Sequence, residues 1–282
     1  AMGGAYTALA KDSNALLYNP AGLGKLDSYE ATFMHDQHFT GANQEYAAVA
    51  GPQGWGADLI WLGYGNVPRT TISNPDGAGL GSASSHDMAG GVGYGRTLGE
   101  SLSLGAGFKF IRETLDNVSG QGYGVDVGAL YDVPAAKGLT LGLAVQNMGP
   151  RVKFQSAHEN MPLNVRAGAG YAFRALDQLA TLSVDMSKER DTAVVAGAGG
   201  EVLIAKSMSL RLGFTSRNEA GIGITAGAGF QVSNLMIDYA FAPYGSLGDA
   251  HRVSASLRWG GSGDPGATTW YYKGLTSQGI QA

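Results

Sequence analysis

The sequence predicts an all-β fold: a 14-stranded antiparallel transmembrane β-barrel with a short N-terminal helical plug in the lumen. Three observations lead to this prediction. From residue 29 onward, segments of about nine to twelve residues alternate large apolar with small or polar side chains. No apolar run reaches the roughly 18 residues that a membrane-spanning helix needs. Glycine is frequent, at 45 of 282 residues, without the three-residue period of collagen.

Residues 1–26 precede the first strand, and we predict that they form the plug. The small apolar run 5–10 favours about two helical turns. A second short helix is expected at 15–18, with capping side chains offered by residues 12–14. Pro20 lacks an N–H and disfavours a helical conformation at Asn19, so this helix must end there and the chain must turn sharply. The predicted plug residues are Gly3, Gly4, Asn19, Pro20, Ala21 and Gly22.

The alternation is clearest in the segment 101–110. One face carries Leu102, Leu104, Ala106, Phe108 and Phe110, and the other carries Ser103, Gly105, Gly107 and Lys109. Counting such segments gives fourteen strands between residues 28 and 259. Short connections alternate with longer ones, notably 66–85 and 149–161, which is typical of bacterial outer-membrane barrels with tight periplasmic turns. This pattern places both termini in the periplasm and predicts contact with outer-membrane lipid.

The second face of the strands is mostly Gly, Ala and Ser with single charges, which predicts a crowded lumen. Five acidic and five basic side chains are expected to point into it: Asp126, Asp132, Asp185, Glu201, Asp238, Lys109, Arg166, Arg211, Arg252 and Arg258. Two interpretations are open. The charges pair and lock the plug in place, because buried charges are tolerated when they are paired. Alternatively, they form a polar constriction that gates small solutes.

Composition narrows the function. The absence of cysteine excludes disulfides and thiolate chemistry. A net charge of −4 and a pI near 5.7 argue against nucleic acid as a partner. No nucleophile elbow or phosphate-binding loop followed by a helix occurs. We therefore predict no catalytic residues, no metal site, no cofactor and no enzymatic activity.

Five aromatic residues near strand ends fit the girdles of aromatic side chains that membrane barrels place at the membrane–water interface: Tyr94, Tyr131, Phe173, Phe241 and Trp259. The alternative is that these residues pack as ordinary strand residues.

These patterns divide the chain into a plug (1–26), a transmembrane barrel (27–259) and a C-terminal periplasmic tail (260–282). The tail begins with the flexible composition of 260–266. It then concentrates Trp270, Tyr271 and Tyr272, which we predict to bind a partner. The alternative is that the tail packs under the barrel mouth or at the membrane interface.

Three separated blocks carry a family resemblance. Residues 1–23, with Asn-Pro-Ala-Gly-Leu at 19–23, resemble the N-terminal hatch of the FadL-like outer-membrane proteins. The blocks 146–166 and 238–254 are similar to the PorV/PorQ branch of that group. The resemblance covers residues 1–259 and implies a fourteen-stranded outer-membrane barrel with a hatch. This chain is shorter than the classical FadL branch.

The resemblance implies two functions. A PorV-like protein is a membrane-embedded docking or scaffold component for secreted or envelope proteins. In this chain, such partners would bind to the rim loops 66–85 and 242–250 and to the tail. The alternative is a FadL-like outer-membrane transporter, which admits hydrophobic small molecules or detergent through a gap in the wall beside the plug. The docking function is the main prediction.

Overall fold

A computed structural model describes residues 1–38, 41–154, 157–217 and 220–261. Fourteen antiparallel strands form a closed barrel, so the predicted fold class is confirmed. Neighbours in sequence are neighbours in the wall, and β16 pairs with β1 to close it. The barrel strands are β1 (Tyr29–Gln37), β2 (Asn43–Ala50), β3 (Trp55–Pro68), β4 (Ser82–Leu98), β5 (Leu102–Leu115), β6 (Val118–Asp132), β7 (Leu139–Met148), β10 (Asn164–Ala175), β11 (Gln178–Glu189), β12 (Val194–Ile204), β13 (Met208–Thr215), β14 (Ile224–Val232), β15 (Leu235–Pro243) and β16 (Asp249–Trp259).

A short hairpin, β8 (Val152–Phe154) and β9 (Ala157–Glu159), stands outside this ring in the connection between β7 and β10. It attaches to β6 through the pair Gln121 and Lys153. The sequence pattern predicts a loop over this stretch. Strands of three residues are too short to show a period of two, so the pattern could not reveal them.

The two faces of the wall differ as the alternation predicts. In β6, Tyr123, Val125 and Val127 are exposed on the outside, whereas Asp126 between them is 2% exposed. The same holds around the ring, where outward leucine, valine and aromatic side chains are exposed and inward polar side chains are buried. A water-soluble sandwich would reverse this arrangement. An apolar exterior around a polar interior is the pattern of a membrane barrel.

One irregularity of the wall lies between β6 and β7. Gln146 and Asn147 together lie opposite Asp126, which is a β-bulge. The backbone N–H of Asn147 donates to the Asp126 carboxylate at 2.7 Å. The bulge is therefore held by an inward carboxylate.

The N-terminal segment, residues 1–26, contains one α-helical turn, α1 (Ala15–Tyr18), and a 3-10 helix (Pro20–Lys25). The helix predicted at 15–18 is confirmed, and it ends before Pro20 as expected. The two helical turns predicted for 5–10 are wrong: this stretch forms turns, in which the N–H groups of Tyr6 and Thr7 donate to the Asp185 carboxylate. Within the described ranges, no helix has the length and apolar character needed to cross a membrane.

Candidate functional site: a plugged lumen with a side cavity

The N-terminal segment lies against a set of inward glycines that we call the glycine arc. These glycines come from the inner faces of β4 to β7, β10 and β12 to β14, and a Cβ on any of them would overlap the segment: Gly93, Gly95, Gly105, Gly128, Gly142, Gly170, Gly197, Gly199, Gly213 and Gly227. At six of these glycines the overlapping atoms belong to the backbone of the segment, which approaches the backbone of the wall directly and leaves no space for a side chain: Gly95, Gly105, Gly142, Gly197, Gly199 and Gly213. At the other four, the overlapping atoms belong to side chains of the segment. The N-terminal segment thus fills the space in front of these glycines, and the lumen is not open there.

The contacts of the arc follow the chain. Gly213 faces Met2 and Gly3, Gly142 faces Thr7 and Ala8, and Gly105 faces Pro20 and Ala21. The segment therefore runs around the inside of the wall from β14 towards β3.

Asn19 joins the segment to itself and to the wall. Its side chain is fully buried, and its Nδ2 donates to the carbonyl oxygens of Thr7 at 3.1 Å and Ala129 at 3.0 Å. Its Oδ1 accepts from the backbone N–H of Ala21 at 3.2 Å, which caps the 3-10 helix that begins at Pro20. One amide side chain thus satisfies three backbone groups.

The other predicted plug residues lie in the same layer. Ala21 and Gly22 are buried, and a Cβ at Gly22 would overlap the carbonyl group of Ala10. Gly3 and Gly4 both have positive φ, of 60° and 78°, which an L side chain rarely adopts. Gly3 packs against β13.

Two of the predicted inward charges, Arg166 and Asp185, bind the segment at residues 4–7. The Asp185 Oδ2 accepts from the N–H groups of Tyr6 at 3.0 Å and Thr7 at 2.9 Å, and from the Thr7 hydroxyl at 2.5 Å. The Arg166 Nη2 donates to the Gly4 carbonyl at 3.0 Å and lies 3.4 Å from Asp185. Its guanidinium also lies over the Tyr18 ring, 5.0 Å from the centroid.

The remaining predicted charges form pairs along the inner wall or, in the case of Asp132, with lysines of the segment. Lys109 lies 2.7 Å from Asp126, and Arg211 bridges Glu201, at 2.5 Å, and Asp238. Asp132 binds Lys11 and Lys25 of the segment.

Arg252 and Arg258 pair with Asp36 and Glu30, two acids that the sequence analysis did not single out. The period-two pattern of β1 holds the missing signal, since it puts Glu30 and Asp36 on the face opposite Phe33.

Four adjacent strands, β15, β16, β1 and β2, contain no glycine and form what we call the glycine-free arc. A cavity of about 570 Å³ lies between the N-terminal segment and the inner wall. The strands β15 and β16 contribute the largest share of its lining, and the cavity also reaches β1, β2 and the inner faces of β10 to β14. Met34, Met236 and Leu17 supply apolar lining, while Ser254 and Arg252 supply polar lining. The cavity extends to Thr215 and Tyr244 beside the long connections.

A hydrogen-bond network bounds this cavity at the short-turn end. The Ser13 hydroxyl donates to Glu30 Oε1 at 2.8 Å and lies 2.7 Å from the Thr32 hydroxyl, which in turn lies 2.7 Å from that of Ser256. Arg258 binds the second oxygen of Glu30 at 2.7 Å. Glu30 and Ser13 are each 1% exposed, so the network ties the segment to the wall in a buried place.

Asp12 of the segment also lines the cavity. Burial, followed by the nearby charge of Glu30, raises the pKa of Asp12 to about 6, although the Tyr6 hydroxyl donates to it at 2.6 Å. Its protonation state therefore changes just below neutral pH.

The partner-binding residues predicted in the tail, Trp270, Tyr271 and Tyr272, lie outside the described residues. Among the residues that are described, no three His, Asp or Glu side chains are grouped so as to hold a metal ion.

Comparison with solved structures identifies the fold. The chain is similar to the toluene transporter TbuX of Ralstonia pickettii, with a TM-score of 0.62 and 16% identity over 92% of this chain and 97% of that one. It is similar to the toluene transporter TodX of Pseudomonas putida, with a TM-score of 0.59 and 12% identity over 90% and 96%. A FadL homologue of Pseudomonas aeruginosa gives a TM-score of 0.52 and 12% identity over 90% and 95%.

No protein-family model matches the sequence, and no curated protein matches it. Identities this low show a shared fold alone. The FadL-like part of the sequence resemblance is therefore confirmed at the level of the fold, and the PorV/PorQ branch stays a prediction.

Proposed function

We propose that this protein is an outer-membrane β-barrel transporter for small hydrophobic molecules. The observation that carries the proposal is the cavity of about 570 Å³ between the plug segment and the glycine-free arc. It lies inside a wall with an apolar exterior, in a fold shared with two toluene transporters. A cavity of this size accommodates a small organic molecule.

The outer surface supports a membrane location. Its exposed side chains are largely leucine, valine, isoleucine and aromatic residues, which lipid can cover. At the short-turn end, Tyr29 stacks on Trp259 with 5.8 Å between ring centroids and lies 6.3 Å from Trp55. Tyrosine and tryptophan prefer the membrane interface. We therefore propose that the short turns and the N-terminal segment face the periplasm of a bacterial outer membrane.

The route through the barrel follows from the lining. A solute enters beside the long connections, near Thr215 and Tyr244, and reaches the cavity. The contact of Ser13 with Glu30 bounds its further path. Release of the solute therefore requires the part of the N-terminal segment around Ser13 to move away from β1. The contacts with the glycine arc hold the other parts of the segment in place.

A cysteine block tests transport, because the chain has no cysteine of its own. Ser254→Cys places a thiol in the cavity, and Ser73→Cys places one in an exposed loop as the matched control. Each variant is expressed in a Gram-negative host that lacks its own proteins of this fold. Initial uptake of labelled toluene is then measured before and after treatment with a bulky thiol reagent.

Modification of Ser254→Cys should lower the uptake rate about fivefold, because the added group fills the cavity. Modification of Ser73→Cys should leave uptake unchanged. Uptake equal to that of cells without the protein, or insensitive to both modifications, contradicts the proposal.

Docking of envelope proteins is a second candidate. Its support is the similarity of residues 146–166 and 238–254 to the PorV/PorQ branch, together with the aromatic tail. Purification from native membranes in mild detergent distinguishes the two: a stoichiometric protein partner that is lost when the tail aromatics are replaced by serine supports docking.

A further inference from the structure

We propose that the cavity selects a neutral amphipathic molecule, a single aromatic or alicyclic ring that carries a hydroxyl or carbonyl group. This inference rests on the proposed transport function and adds the chemical class of the substrate. It distinguishes such a molecule from a plain hydrocarbon and from a carboxylate of the same size.

The apolar part of the ligand has a defined place. Met34 and Met236 lie on β1 and β15, the two strands that flank β16, and their register partners on β16 are Ser254 and Ser256. Two strand spacings across the sheet and a two-residue offset along it separate the Cα atoms of the two methionines by about 12 Å, which leaves room for one ring between the side chains. Leu17 of the N-terminal segment also lines this part of the cavity. The ring therefore meets three apolar side chains.

The polar part has donors and acceptors beside the same place. Ser254 is directly opposite Asp238 on β15 and Met34 on β1. Its hydroxyl has no hydrogen-bond partner among the residues that the structure describes, and it lines the cavity. Arg252, two residues away on the same face, uses its Nε and one Nη on a single oxygen of Asp36. A guanidinium has five N–H donors, so others remain for a ligand oxygen.

Charge balance selects a neutral head group. The arginines that line β13 and β16 already face carboxylates: Arg211 faces Glu201 and Asp238, Arg252 faces Asp36, and Arg258 faces Glu30. A carboxylate ligand would compete with Asp36 for Arg252 and would be repelled by Asp238. A neutral oxygen can accept from Arg252 or Ser254 without disturbing these pairs.

The same groups disfavour a hydrocarbon. A ring without a polar substituent would displace water from Ser254 and Arg252 and leave their donors unpaired. A site built with hydrogen-bonding groups discriminates strongly against an analogue that cannot use them. The cavity is therefore better matched to benzyl alcohol than to toluene, although the two differ by one oxygen atom.

Methionine methyl NMR tests the assignment at the site itself. The chain has eight methionines, of which Met2, Met34 and Met236 line the cavity, while Met186 and Met208 are exposed on the outer face of the wall. Met34 and Met236 are the two beside Ser254 and Ser256. The protein, labelled with ¹³C in its methionine methyl groups, is studied in phospholipid nanodiscs. The probes are benzyl alcohol, toluene and benzoate. Met186 and Met208 report partition into lipid and correct for it.

Benzyl alcohol should shift the Met34 and Met236 signals in a saturable way, with an affinity about tenfold higher than that of toluene and of benzoate. Ser254→Ala should reduce the preference over toluene to about twofold, because one polar partner is lost. Ser187→Ala removes a hydroxyl elsewhere in the cavity lining and should leave the preference unchanged.

The outcomes separate this inference from the proposed function. Toluene or benzoate binding at Met34 and Met236 as tightly as benzyl alcohol overturns the assigned class, while a positive cysteine-block experiment keeps transport intact. If no probe shifts these two signals and the cysteine block has no effect, both proposals are wrong. An unchanged preference in Ser254→Ala also overturns the assigned anchor.

Discussion

The glycine arc and the glycine-free arc are built from the same strand alternation, yet they do different things with the space in front of them. Along the glycine arc, the wall has no side chains at the points where the N-terminal segment touches it, so the segment packs directly on the backbone of the wall. Along the glycine-free arc, Met34, Met236, Ser254 and Arg252 project inward and a cavity remains. The inward glycines therefore mark where the segment packs closely on the wall, whereas the larger inward side chains of β15, β16 and β1 keep most of the segment at a distance and border the cavity.

The strongest way to break this comparison is to add one methyl group to the glycine arc. In Gly105→Ala, the Cβ would overlap the backbone of Pro20 and Ala21, whereas in Gly107→Ala, on the same face of β5, it would lie 3.4 Å from the flexible end of Leu16. The Gly105 variant should lower the free energy of local opening of residues 1–26 by about 3 kcal/mol. Hydrogen exchange measured by mass spectrometry reports this opening. Equal protection in the two variants would show that the close packing is not what holds the segment.

The next largest effect is expected on the glycine-free arc, at the network that bounds the cavity. Arg258→Gln leaves the Glu30 carboxylate, which is 1% exposed, without its cation, and should cost about 3 kcal/mol in attachment of the segment near Ser13. The double variant Glu30→Gln/Arg258→Gln removes both charges and should recover most of this loss. Exchange of residues 11–18 measures both effects, and a double variant as labile as the single one would contradict the role of the pair.

A smaller effect is expected for the amide that joins the segment to the glycine arc. Asn19→Ala removes bonds to Thr7, Ala21 and Ala129 and should lower the opening free energy of the segment by about 2 kcal/mol. Asn14→Ala is the control, since the Asn14 side chain bonds to Asp12 within the segment and its loss should cost about 0.5 kcal/mol. If the two changes have equal effects, Asn19 does not have the role assigned to it.

The smallest effect is a dependence on pH. The pKa of Asp12 is about 6 when the N-terminal segment is attached to the wall, against 3.8 when the segment is released, so the attached state binds the proton more tightly. Attachment of the segment should therefore become more stable as the pH falls from 7 to 5 and less stable as the pH rises again. Asp12→Asn should flatten this dependence. Exchange protection at pH 5, 6 and 7, corrected for intrinsic rates, measures the slope, and an unchanged slope in the variant would assign it to another group.

Much of the wall could be predicted because alternation is local. The segment 101–110 shows both faces within ten residues, and β5 (Leu102–Leu115) has the predicted faces. The stop at Pro20 was predictable for the same reason, since proline acts on its immediate neighbours. The prediction for the stretch 5–10 was wrong, and the contacts that position this stretch are not local: the N–H groups of Tyr6 and Thr7 bond to Asp185, which lies almost 180 residues away in the chain.

The candidate site was less predictable. Inward glycines could be counted in the sequence, but no local pattern showed that Gly105, Gly142 and Gly213 would meet the same segment. Nor did it show that Glu30 and Asp36 would be the partners of Arg258 and Arg252. These pairs form only because β16 closes onto β1, which joins the two ends of the barrel.

By itself, the sequence determined that this chain forms fourteen two-faced strands with an apolar exterior, preceded by a segment that must turn at Pro20. The alternation of side chains along a strand and the conformational restriction imposed by proline both act between neighbouring residues, so they can be predicted from the sequence. Tertiary structure alone decided where the segment would lie and where the cavity would remain. That choice depends on contacts between residues far apart in the chain, which exist only once the ring is closed.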